Sequence, residues 1–118
     1  WNDMFDKKAL AEYEVNLVHL IKDVRTEFNK PKLRVVIGEL GNGGPQAGKN
    51  MLAIRAAQKA STEHEEFKGT VKFVSTTAFA RPKEESPNVG HGHHWFGNAE
   101  SYFLIGDALG KAMVDLRR

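Results

Sequence analysis

The chain has 118 residues, of which 41% are hydrophobic and 27% charged, with a formal net charge of +2. That is the balance of one soluble globular domain with one core, and its interleaved acidic and basic residues argue against a nucleic-acid footprint, which is normally a patch of one sign. No apolar run approaches a membrane span, no segment reads as a signal peptide, and the lack of cysteine excludes disulfides and thiolate metal sites, so any metal must be held by nitrogen and oxygen.

From about Lys8 to Asn29 the apolar residues Leu10, Tyr13, Leu17, Leu20, Ile21, Val24 and Phe28 recur three or four apart, which predicts one face of a helix. Pro31 marks its end, because the residue before a proline is pushed out of the helical region. Leu33 to Ile37, rich in valine and isoleucine, reads as a buried parallel strand. The loop Gly38 to Pro45 follows, and Ala47 to Ser61 is rich in helix formers. Thr70 to Thr76 reads as a second strand. Thr77 to Gly97 is long and irregular, a length that inside a compact domain signals a functional or disordered segment. Asn98 then caps a helix running to about Leu116, with Tyr102, Ile105, Leu109, Ala112, Met113 and Leu116 on a wide buried face.

The order is helix, strand, helix, strand, helix, which implies an α/β fold with parallel strands. Two strands make a poor sheet, because both edges stay open and little apolar area is covered. Residues 1–118 therefore read as half of a doubly wound domain.

Three of the five histidines, His91, His93 and His94, fall within four residues, just before the last helix. Imidazole transfers protons near neutral pH and is a common metal ligand. In an extended segment residues two apart project to the same side, so His91 and His93 can chelate one ion that His94 joins or orients. Glu39 follows the first strand, on the rim where ligands gather in open parallel sheets, and could complete the set around zinc or another divalent first-row metal. The segment Gly43-Gly44-Pro45-Gln46-Ala47-Gly48-Lys49-Asn50 nearly matches a phosphate-binding loop in the correct context. Asn50 replaces the magnesium-binding hydroxyl and Pro45 removes a backbone donor, so a glycine-rich turn feeding a helix is the better reading. His64 lies among acidic residues and reads as solvated, His19 as a boundary residue of the first helix. Trp95 and Phe96 suit either a cleft lining or packing of the loop on the last helix.

The ending His93-His94-Trp95-Phe96-Gly97-Asn98-Ala99-Glu100 through Gly110 resembles the last block of the SGNH hydrolases, most closely the sialate O-acetylesterase-like carbohydrate esterases. The strand and loop Val35 to Gly41, the helix segment Ile54 to Gln58 and the opening Trp1-Asn2-Asp3 are similar to the same subgroup, in the same order. The resemblance implies the C-terminal half of a flavodoxin-like SGNH three-layer domain, truncated before the Gly-Asp-Ser nucleophile block. It implies ester hydrolysis of acetylated carbohydrates without a cofactor. His94 would be the base, Asn2 an oxyanion donor, and Asp3 a neighbour of His94. Position 91 holds histidine where the family's Asp-x-x-His has aspartate, so the usual orienting carboxylate is absent there. The acyl-enzyme route then needs a complementary N-terminal half that supplies the serine.

Two other readings follow from the residues. One is a self-contained metal-dependent hydrolase of carboxylic or phosphate esters, in which His91, His93, His94 and Glu39 hold the ion in a homodimer. The other is a catalytically inert fragment that associates. Association, with a second copy or with the missing half, is expected in each; the substrate class is a small-molecule ester, and neither nucleic acid nor membrane is expected as a partner.

Overall fold

The computed structural model describes all residues, 1–118. Helix α1 spans Lys7–Glu27, strand β1 Val35–Gly38, helix α2 Lys49–Thr62, strand β2 Val71–Val74 and helix α3 Ala99–Leu116. The order expected from the sequence is present, with boundaries shifted by a few residues. Asp6 starts α1 by accepting from the amides of Lys8 and Ala9, and Asn98 starts α3 by accepting from the amide of Ser101. Each cap satisfies amides that have no partner inside the helix.

The two strands pair in parallel, Val35 opposite Val71 and Gly38 opposite Val74. Side chains alternate across the sheet. Val35 and Ile37 pack toward a core of Val18, Ile21, Phe67 and Val71, on the side that carries α1 and α2. On the other side Gly38 lies under Leu109 of α3, and Lys72 pairs with Asp115 at 2.9 Å. A side chain at position 38 would crowd Leu109. The result is an α/β arrangement of two helices, a two-stranded parallel sheet and one helix.

Two expected faces are less covered than the periodicity suggests. Leu20 of α1 and Phe28, its C-cap, are exposed, as is Tyr102 of α3, while Ile105, Leu109, Met113 and Leu116 are half-buried. A two-stranded sheet is too narrow to cover the full stripe of either helix. His64 also departs from expectation: it is partly buried, its Nε2 lies 3.0 Å from Glu14, and its ring packs near Phe67. No helix is long and apolar enough to cross a membrane.

Candidate functional site

The site is assembled from the loops that leave the carboxyl ends of both strands. Glu39 follows β1, and one of its carboxylate oxygens accepts from the hydroxyls of Ser75 (2.6 Å) and Thr77 (2.8 Å) and the amides of Thr76 (2.8 Å) and Thr77 (3.0 Å). Burial raises the carboxyl pKa, but these four donors outweigh it and hold the group below the ordinary carboxylate range. Two residues on, Gly41 passes so close to Thr76 and Thr77 that no Cβ would fit there. Glu39 thus clasps the two strand ends together.

The rest of that loop is fastened from α2. The buried Arg55 guanidinium donates to the carbonyls of Leu40 (2.8 Å), Gly44 (2.9 Å) and Asn42 (3.1 Å). Gly43 and Gly44 adopt φ of 85° and 58°, which glycine reaches at little cost. The glycine-rich segment is therefore a turn bound through its carbonyls to a cation, not a cradle of amides open to phosphate. Asn42 is fully buried, and its side-chain amide donates to the carbonyl of Gly92 at 3.4 Å. That bond links the β1 loop to the histidine segment.

The histidine segment is a tight turn. The amides of His94 and Phe96 both donate to the His91 carbonyl at 3.0 Å, and the Asn88 amide donates to the Phe96 carbonyl at 2.9 Å. Trp95, Phe96 and Gly97 are consecutively left-handed, with φ of 53°, 53° and 66°. For a tryptophan and a phenylalanine this costs about 1–2 kcal/mol each. The bonds above and the Phe96 ring, packed over Gly92, hold the conformation in place. The Tyr102 hydroxyl donates to the His94 carbonyl at 2.7 Å, fixing that residue's backbone to α3 while its imidazole stays exposed.

These constraints gather His91, His93 and His94 so that one ligand atom from each lies within 4.8 Å of the others. The rings of His93 and His94 are 4.2 Å apart, and Trp1 lies 5.6 Å from His93. Lost solvation, followed by repulsion from His94 and His91, holds the His93 pKa below that of an ordinary imidazole.

Two of the other expected participants, Glu39 and Asp3, stand outside the histidine group. Glu39 does not belong to the histidine group, because its carboxylate is turned into the clasp between the strand ends. Asp3 is likewise outside that group; it borders a depression with Tyr13 and Leu17 of α1. There burial, and then the Asp3 charge, raises the Tyr13 pKa. Asn2 is exposed, in the short turn Asn2–Phe5. Trp1, the residue before this turn, brings its ring to 5.6 Å from that of His93. Trp1 also borders, with Met4, Phe5, Gln46 and Lys49, an open cavity of about 490 Å³.

Against known families, residues 2–115 match the one described as carbohydrate esterase, sialic acid-specific acetylesterase. The chain belongs to this carbohydrate esterase family. The match spans nearly the whole chain, and hydrolysis of carbohydrate esters is the chemistry of the family. No curated protein and no solved structure gives a significant match.

Four residues around the site escape a reading of the sequence: Arg55, Asn42, Tyr102 and Gln58, whose side-chain oxygen accepts from the Leu40 amide at 2.8 Å. Arg55 and Gln58 fall on the buried face of α2 with Met51 and Ile54, a polar pair at core spacing whose signal is that periodicity. Asn42 sits in an ordinary-looking Gly-Asn-Gly-Gly loop and gives no such signal. Tyr102 is at core spacing in α3, but its hydroxyl serves the histidine turn.

Proposed function

We propose that this chain provides the base-bearing part of a carbohydrate O-acetylesterase, within the C-terminal half of a flavodoxin-like SGNH domain. The observation that carries the reading is the family match, which includes the segment ending in His94. The fixed backbone and exposed imidazole of His94 suit a base. In this reading the His94 imidazole takes the proton of a serine hydroxyl as that oxygen attacks the acetyl carbonyl. The bond from the acetyl carbon to the sugar oxygen then breaks, and His94 returns the proton to the departing oxygen. Water attacks the acetyl-serine in the same way, releasing acetate and restoring the serine. The serine belongs to a Gly-Asp-Ser segment outside these 118 residues, in the same polypeptide or another. Asn2 donates a side-chain N–H to the oxyanion.

The test is hydrolysis of an O-acetylated sugar by the chain together with a Gly-Asp-Ser-bearing half. His94→Ala is expected to lower kcat/KM by about 10²–10⁴-fold, the usual contribution of a general base. His19→Ala and His64→Ala should leave it nearly unchanged. Equal losses in all three variants would remove His94 from this role.

A further inference from the structure

We propose that His91, His93 and His94 form a binding site for a divalent first-row transition metal, zinc above all, and that the bound ion takes His94 out of its role as base. The second half of this inference rests on the esterase reading; the first does not. Zinc accepts imidazole nitrogens at about 2.0–2.1 Å, which in a tetrahedral site places ligand atoms about 3.3 Å apart. The three histidine ligand atoms already lie within 4.8 Å of one another. All three side chains are exposed, so small rotations close the remaining distance without disturbing a core.

The convergence is built by the backbone. The double acceptance at the His91 carbonyl, the left-handed run at Trp95–Gly97 and the Asn42 and Tyr102 bonds fix where the three Cα atoms lie. Ordering the loop, which is the main entropic cost of assembling a site, is thus met before any ion arrives. With no cysteine in the chain, and no Asp or Glu in the group, the donor set is three imidazole nitrogens, with water as fourth ligand. Such a set favours zinc, copper or nickel over magnesium or calcium, which take oxygen ligands. An ion held here occupies a lone pair of His94, the pair that the esterase mechanism needs for the serine proton.

Isothermal titration of the full chain with zinc chloride alone, at neutral pH, tests the site independently of any activity. The expected result is about one ion per chain, with affinity reduced about tenfold or more in His91→Ala and in His93→Gln, and unchanged in His19→Ala. Circular dichroism would confirm that each variant is folded. Magnesium should give no comparable binding. Absence of zinc binding, or affinity unchanged in both variants, overturns the site. In the assembled esterase, zinc should inhibit hydrolysis and a chelator should restore it, with the sensitivity lost in His93→Gln. Zinc that binds through these residues but leaves hydrolysis unaltered, or that is required for it, overturns the inhibitory role. Zinc binding in a chain that never hydrolyses acetyl esters leaves the site standing and removes the esterase reading.

Discussion

Glu39 shows how one side chain can be misread from its neighbours in sequence and still lie at the centre of the site's construction. Its position after β1 suggests a ligand, yet its carboxylate is consumed by Ser75, Thr76 and Thr77. Glu39→Ala would leave two loop amides without an acceptor and is expected to destabilise the chain by about 1–3 kcal/mol. The pH dependence has a definite sign. A carboxyl group whose folded pKa is depressed stabilises the fold above its unfolded pKa, and that stability is lost as pH falls through the lower, folded value. Stability should therefore decline on acidification below about pH 4.3, and Glu39→Gln should decline less steeply. Part of the slope should remain, since Arg81 and Lys72 depress the pKa values of Glu100 and Asp115 in the same direction. Urea midpoints across this range decide it; identical slopes in both proteins would show that Glu39 is not a source. His91, His93 and His94 are visible in the sequence as a cluster, but their supports at Asn42 and Tyr102 are not, because both depend on contacts across at least eight residues.

Among the elements, the helices are the most legible. Their apolar periodicity and caps are local properties, and Asn98 is readable as a cap from the sequence alone. In the structure this residue also joins two elements: its Oδ1 accepts from the Ser101 amide, while its Nδ2 donates to the Ser86 hydroxyl at 3.0 Å. Asn98→Ala is expected to cost about 1 kcal/mol from the cap and to lower Tm by about 3–6 °C. Asn98→Asp should recover most of the loss, since it keeps the capping oxygen. Thermal unfolding followed by circular dichroism distinguishes the two; equal losses would mean that the Ser86 contact dominates. The segment from Thr77 to Gly97 is less legible. It contains short 3-10 turns at Thr77–Phe79 and Lys83–Glu85 and the partly left-handed histidine turn at Gly92–Gly97, whose conformations carry no periodic signal. No local preference places tryptophan and phenylalanine in consecutive left-handed positions.

The whole molecule has a thin core. Only 17 of 118 residues are buried, and the radius of gyration is 15.1 Å, larger than the roughly 13–14 Å of a compact domain this size. Each strand has one partner, so each leaves an edge without a strand neighbour. Phe103 and Val114 of α3 are exposed, Phe103 by 74%. Open edges and exposed apolar side chains promote association. At micromolar concentration the 118-residue chain by itself is expected to sediment above its 13.2 kDa monomer mass. A monomer whose cooperative unfolding does not depend on concentration would show that this two-stranded arrangement stands alone.

The sequence by itself determined the order of helices and strands, the Asn98 cap, the histidine cluster and the resemblance to carbohydrate esterases that the family match bears out. Each is written in spacing or in a contiguous run of residues, where the physics acts over a turn of helix or a few positions of strand. Tertiary structure alone decided that Glu39 clasps the strand ends, that Asp3 lies toward Tyr13, and that Trp1 meets His93. These outcomes depend on where separate loops meet once the sheet has formed. A carboxylate takes whichever donors the fold presents to it, and for Glu39 those were the amides and hydroxyls of the β2 loop, 36 to 38 residues away.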